Sequence, residues 1–334
     1  MRSDQMKKVM VSILVLFMFF TVSTLADKVL VYISGPEGMV KKIEQVFEKK
    51  YGDCLDVYHT GSGPLKQKVF TELMVGEIQA DVIWGAEPLM YFQLMENDVL
   101  ERYFPKGYER LKKAYQYGDG YFTASNARYG TIIYNAEKLS ADEIPAVWSD
   151  LMGENWKSRI AMADGSQSAM AFALVGSIYN LENGKEILKA LGNDEVFLTK
   201  MNIDAISKVQ SGERDICIAP SDGAFRIIKS MKQKGVDSNL KILYPKDGAF
   251  SIQRPIAVVK KDRSAAELKI VHLFVDFAIS DECQQISSGF GFASVMNDDE
   301  SESAEEINEI YPDWETLLNN QEEILDFYTE NVLD

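Results

Sequence analysis

Short apolar runs alternate with amphipathic stretches through the first half of the chain, and each apolar run ends in a turn of small, glycine or hydroxyl-bearing residues. Residues 28–33 read as a strand, and residues 39–50 as a helix with Val40, Ile43, Val46 and Phe47 on one face. Residues 55–59 and 80–84 read as further strands, each followed by a helical pattern, at 66–75 and 90–97. Alternation at this spacing demands βαβ units, a parallel sheet and helices on both faces. In such sheets a ligand sits beyond the carboxyl ends of the strands.

The turns at those ends are therefore the place to look. They read Ser34-Gly35-Pro36-Glu37-Gly38, Thr60-Gly61-Ser62-Gly63-Pro64 and Gly85-Ala86-Glu87-Pro88. Farther on, residues 160–163 lead into Asp164-Gly165-Ser166-Gln167-Ser168, and residues 216–219 into Pro220-Ser221-Asp222-Gly223, each ahead of a helix. Any one of these is what an ordinary helix cap looks like, since Ser, Thr, Asp and Gly are favoured there without a ligand. Five of one type, drawn from both halves of the chain, favour a shared binding cleft. Thr60 to Gly63 offer successive backbone N–H groups and two hydroxyls at the positive end of a helix, which suits a phosphate or carboxylate.

About three hundred residues exceed what one compact core holds, so two lobes are expected. No repeat or Pro-rich linker separates them, which implies that strands of the fold join them. Residues 128–135 read as a strand leaving the first lobe and 251–259 (SIQRPIAVV) as its antiparallel return. The expected division is a leader at 1–26, a first lobe at 27–128 plus 256–334, and a second at 129–255. Two crossing strands make a hinge.

The leader has the pattern of a secretory signal. Arg2, Lys7 and Lys8 precede an apolar run at 9–22, with Thr24 and Ala26 ahead of a cut before Asp27. That run is shorter than the roughly 20 residues of a comfortable membrane span. No cysteine occurs before Cys54, so no lipid anchor is indicated, and a periplasmic protein is expected. Removing the leader takes away three positive charges and one negative, so the net charge goes from −16 to −18. Such a balance disfavours nucleic acid and anionic membranes as partners. Backbone amides can still make a local positive site for an anion. Much of the negative charge lies in the run DDESESAEEINE from Asp298, which reads as a solvated face. Cys54, Cys217 and Cys283 leave room for one disulfide of open pairing, and their wide spacing favours three buried, inert thiols.

Several stretches resemble the type II periplasmic binding proteins of ABC importers, specifically the ferric-ion-binding-like branch. These are LMVGEIQADVIWGAEPLMYFQLMENDVLERY, YNAEKL, IPAVWSDLMGENWKSRIAMADGSQSAMA, YPKDGAFSIQRPIAVVKKD and FVDFAISDECQQ. The resemblance runs from about residue 28 to 295. It implies two Rossmann-like α/β lobes joined by crossing hinge strands, a small-molecule ligand, and an inner-membrane ABC permease as partner.

In the iron-binding members two adjacent tyrosines, a carboxylate and often a histidine hold ferric ion. Glu87 stands at the carboxylate position. Ser221 and Asp222 stand where the tyrosines belong, and no Tyr-Tyr pair occurs in the sequence. Ferric ion wants hard anionic oxygens, so that loss weakens the iron reading. The hexose-phosphate-binding members look closer. On that likeness Glu37 and Asp222 accept sugar hydroxyls, while Ser34, Thr60, Ser62 and Gly63, with Ser166 and Ser168, hold the phosphate; Gly35, Gly61, Glu87 and Ser221 complete the expected ligand-binding set. Arg128, beside the first crossing, suits a bidentate phosphate clamp as well as it suits a structural ion pair. His59 and His272 read as structural, as do Trp84, Trp148 and Trp156.

No GxSxG, HExxH, P-loop or GxGxxG occurs, so binding is expected in preference to catalysis. The expectation is a monomer without cofactor that binds a sugar phosphate, with ferric ion as the alternative cargo.

Overall fold

The computed structural model describes residues 28–85, 87–297 and 307–333. The expected leader and most of the acidic run lie outside the described residues. Three parallel strands open the fold, β1 (Val29–Ser34), β2 (Leu55–Thr60) and β3 (Val82–Trp84). Helix α1 (Glu37–Tyr51) lies between the first two, α2 (Ser62–Met74) precedes β3, and α3 (Pro88–Glu96) follows it. A two-residue strand β4 (Leu100–Glu101) comes next, then the long strand β5 (Thr123–Asn135).

A second parallel set follows, made of β6 (Ile160–Ala163), β7 (Phe197–Thr199) and β8 (Ile216–Pro220). Its helices are α4 (Ala169–Tyr179), α5 (Gly184–Asn193), α6 (Asn202–Gln210) and α7 (Ser221–Gln233). Strands β9 (Leu240–Leu243) and β10 (Ala249–Val259) bring the chain back. Helices α8 (Ala265–Ala278) and α9 (Asp281–Ser288) come next, and β11 (Glu309–Ile310), α10 (Trp314–Asn319) and α11 (Gln321–Tyr328) complete the described order.

Strand order β2-β1-β3-β10-β5-β8-β6-β7 joins the two parallel sets into one sheet. Strands β5 and β10 run antiparallel side by side in the middle, as the sequence pattern predicts. One flank of β10 pairs with β3, and the far half of β5 pairs with β8 and β9. The fold is the expected α/β type with two crossing strands. One buried cluster packs α1 and α8 on the first set through Val31, Ile43, Phe47, Trp84 and Phe274. Another, around Ile133, Ala161, Ile206 and Cys217, fills the space under α6.

The local reasons are ordinary. Ser168, Ser264 and Ser280 cap α4, α8 and α9 with their side chains, and Ser264 pairs with Glu267 in a reciprocal box. Helix α2 starts at Ser62, four residues earlier than the apolar period suggests, so Ser62 and Gly63 lie in its first turn. Sequence periodicity placed the helices after residue 307 on the first lobe. Instead α10 packs against both α3 and α4, α11 against α4, and the last turn (Thr329–Leu333) against α5.

All three cysteines are free and buried. Burial pushes their thiols up, Cys283 to about 12. A maleimide reagent at neutral pH is expected to label none of them in the native protein and all three after unfolding. Labelling of the native protein at the unfolded rate would contradict this packing.

Candidate ligand-binding site

The five turns singled out in the sequence all stand at carboxyl ends of parallel strands and all enter helices. Packing brings three of them together. Ser62 Oγ donates to Ser34 Oγ at 3.3 Å, so the turns after β1 and β2 touch. Gly85, after β3, has φ +107°, and a Cβ there would lie 2.3 Å from Ser34 Oγ and 3.1 Å from the Ser34 carbonyl. Only glycine permits this approach, so the sequence at 85 is fixed by closeness to Ser34. Tyr91 holds the same turn from below, its hydroxyl donating to the Gly85 carbonyl at 2.8 Å and the Pro255 carbonyl at 3.0 Å.

Under this junction lies a residue the sequence reading passed over. Arg254 is fully buried, donates Nη2–H to the Ser34 carbonyl, and donates Nη1–H to Asn126 Oδ1 at 3.2 Å. Its Nε has no partner and, among the described residues, no carboxylate pairs with it. The ladder between β5 and β10 shifts register between Arg254 and Pro255. A bulge of this kind re-aims a side chain, and Pro255 lacks the N–H that a regular ladder would use. The signal was present in SIQRPIAVV, where a charge stands inside an otherwise buried strand.

Arg128, which the sequence did single out, shares the Phe292 ring with Arg254. The ring lies 4.9 Å from the Arg128 guanidinium and 5.1 Å from that of Arg254. Asp222 Oδ1 is 3.7 Å from Arg128, while its Oδ2 accepts from Arg226 at 2.5 Å. Burial lowers the pKa of Arg128, and the Asp222 charge opposes that shift. Burial first, and the Arg128 charge second, push Arg254 down to about 9. Both stay cationic at neutral pH. Here two buried cations meet one buried carboxylate.

The remaining candidates fall into separate groups. Glu87 is buried, accepts Lys66 Nζ–H at 2.9 Å and caps α3 through the Met90 N–H at 3.3 Å. A cavity of about 300 Å³ opens beside that pair, lined by Gly63 and Lys66 on one wall and Gly165, Ser166 and Ser168 on the other. Ser166 Oγ donates to Asp164 Oδ1 at 2.8 Å, and Ser168 Oγ accepts from the Ala171 N–H at 3.3 Å. Gln321 and Leu325 of α11 close its outer side. Ser221 Oγ accepts the Tyr129 N–H at 3.4 Å. Gly35 accepts from His59 Nε2 at 2.8 Å through its carbonyl, Gly61 is the N-cap of α2, and Thr60 ends β2 half-buried. Glu37 turns to solvent and pairs with Lys41 at 2.5 Å.

Removing Lys66 should expose how much the Glu87 carboxylate depends on it. Lys66→Met leaves a buried charge with a single backbone donor and is expected to cost about 2 kcal/mol in urea unfolding, less than a fully enclosed pair because Lys66 is partly exposed. An unchanged unfolding midpoint would show that water already serves Glu87.

The sequence profile of the bacterial extracellular solute-binding proteins matches residues 79–320. The chain belongs to that family. Solved structures share the fold of this solute-binding protein. AfuA from Actinobacillus pleuropneumoniae, with exogenous fructose-6-phosphate bound, is 21% identical over 92% of this chain and 98% of its own, with a TM-score of 0.75. Iron-bound HitA from Pseudomonas aeruginosa is 19% identical over 91% and 99%, with a TM-score of 0.73. The Trichodesmium protein IdiA (FutA), in complex with iron and citrate, is 16% identical over 91% and 98%, with a TM-score of 0.72. Curated protein sequences give no match. As a solute-binding protein of the ABC-transporter type, the chain takes a small ligand and hands it to a membrane permease. Among the described residues no helix is long and apolar enough to cross a membrane.

Proposed function

We propose that this solute-binding protein captures a small phosphorylated ligand, a sugar phosphate such as a hexose 6-phosphate, between its two lobes in the periplasm and releases it unchanged. The observation that carries this is the buried pair Arg254 and Arg128, which among the described residues have Asp222 as their one near carboxylate. Two enclosed cations are costly and leave a positive field between the Ser34 turn, which Arg254 holds, and Asp222 at the head of α7, which Arg128 faces. An anionic ligand relieves that cost, whereas a ferric ion would add to it. In this reading Ser34, Thr60, Ser62 and Gly63 hold the phosphate, Ser166 and Ser168 close from the other wall, and Asp222 orients Arg128 while its spare lone pairs accept a sugar hydroxyl. Glu37 is left out, because its carboxylate is tied to Lys41 at the surface. A cleaved leader at 1–26 and a monomeric state belong to the same reading.

Ferric ion is the second reading, favoured by the buried Glu87 carboxylate and by the iron-bound relatives. A thermal-shift screen of the refolded, ligand-stripped protein separates the two. Its panel holds hexose 6-phosphates, free glucose, inorganic phosphate, and ferric ion with citrate. A ligand at 100 times its dissociation constant adds about 2.7 kcal/mol of stability. Sugar phosphates are expected to raise the melting temperature and free glucose to leave it unchanged. A rise with ferric citrate alone would overturn the proposal.

A further inference from the structure

A second cavity, larger than the one beside Glu87 and Lys66, is lined by none of the five turns. It is an open groove of about 1200 Å³ between α1 and α7, floored by α9. Its rims are basic in a protein of net charge −16. Lys42, Lys49 and Lys50 line the α1 side; on the α7 side stand Lys229, which donates to the Gly289 carbonyl at 2.6 Å, and Arg226, whose charge is met by Asp222. Residues seven apart on a helix share a face and stand about 10 Å from each other. Lys42 and Lys49 are exposed and, among the described residues, have no hydrogen-bond or ion-pair partner. The floor is different. Val46, Ile286 and Phe290 are half-buried there and present apolar surface at the bottom of the groove. Glu282 is the one carboxylate among the lining residues.

Basic rims two helical turns long over an apolar floor select for one chemistry. A flat anionic membrane meets the rims but cannot reach the floor, and a small anion fills neither the length nor the apolar part. We propose that the groove between α1 and α7 is a docking site for an acidic, amphipathic segment of a protein partner, its carboxylates on the lysines and an apolar side chain on Phe290 and Ile286. Helices α1 and α7 belong to opposite sides of the crossing strands, so the segment would bridge the two halves of the molecule. This site stands whether or not the cleft takes a phosphate.

The test is fluorescence anisotropy of a labelled peptide of repeating Glu-Glu-Leu, titrated with the purified full-length protein at low ionic strength. Saturable binding is expected, weakened about tenfold or more in the variant Lys42→Glu/Lys49→Glu/Lys50→Glu and by added salt. A repeating Glu-Glu-Ser peptide is expected to bind several-fold more weakly, because it lacks the anchor for the floor. Undetectable binding by the wild type, or equal binding by the charge-reversed variant, would overturn the proposal. So would tighter binding to phosphatidylglycerol vesicles than to the peptide. A gain in peptide affinity on deleting residues 298–306 would reassign the groove to the chain's own acidic stretch. An unchanged circular-dichroism melt shows that the variant is folded, and Lys42→Ala/Lys49→Ala serves as the milder substitution.

Discussion

Arg254→Met is expected to weaken sugar-phosphate binding about 100-fold while leaving the ligand-free protein as stable as the wild type or more so. The first effect is the loss of a buried charge behind the Ser34 turn, together with the hydrogen bonds that fix that turn. Charged hydrogen bonds contribute about 1.5–3 kcal/mol each, and 100-fold corresponds to about 2.7 kcal/mol. The second effect follows from what the charge costs. Taking a charge out of water costs several kcal/mol per ion even after relaxation, and the variant is free of that cost, which offsets the two lost hydrogen bonds. The sign with pH is fixed by the direction of the shift. Arg254 is a base whose folded pKa is lowered to about 9, so its cost is present at every pH below that and fades only as pH rises through it. The variant's stability advantage should therefore be flat from pH 5 to 8 and shrink above 9. Arg254→Lys keeps a charge but not the fork that reaches both Ser34 and Asn126, and an intermediate loss of affinity is expected. Titration calorimetry and urea unfolding read the two effects separately. Full affinity in Arg254→Met would remove the pair's claim on the ligand.

Asp222→Ala acts in the opposite sense. It leaves Arg128, enclosed and beside Arg254, with no carboxylate, and is expected to destabilise the ligand-free protein by about 3 kcal/mol. Inorganic phosphate should then stabilise the variant more than it stabilises the wild type, because the anion replaces the missing charge. If Asp222 also receives a sugar hydroxyl, the preference for sugar phosphate over inorganic phosphate should shrink in the same variant. Urea unfolding with and without phosphate reads both. A loss of stability that phosphate does not restore would make Asp222 a purely structural partner of Arg226.

Residue patterns carried much of this in advance, and the limits have physical causes. Period-2 and period-3.6 apolarity gave the strands, most helix faces and the crossing of β5 with β10, because those depend on local burial. Turn chemistry gave the positions of Ser34, Thr60, Ser62 and Asp222 at strand ends. It said nothing of which turns would touch. That depends on Gly85 having no side chain and on Tyr91 reaching across to Pro255, contacts separated by up to 164 residues. Arg254 was passed over because its direction is set by the bulge at Pro255, which no periodicity reports. Glu37 and Glu87 both stand in turns after parallel strands, where sequence alone does not show what each carboxylate meets. One is a solvent-facing partner of Lys41, and the other a buried helix cap held by Lys66. The docking of α11 on α4 likewise rests on tertiary packing, which the pattern that assigns residues 256–334 to the first lobe does not report.

The most direct measurement is calorimetric titration of ligand-stripped protein with glucose 6-phosphate at pH 7 and pH 5, beside ferric citrate. A phosphate monoester loses its second proton near pH 6, so a site built on two cations favours the dianion. Saturable one-site binding at pH 7, weakened several-fold at pH 5, with no binding of ferric ion, is the expected result. Stoichiometric uptake of ferric ion, with no heat from the sugar phosphate at either pH, would contradict the account.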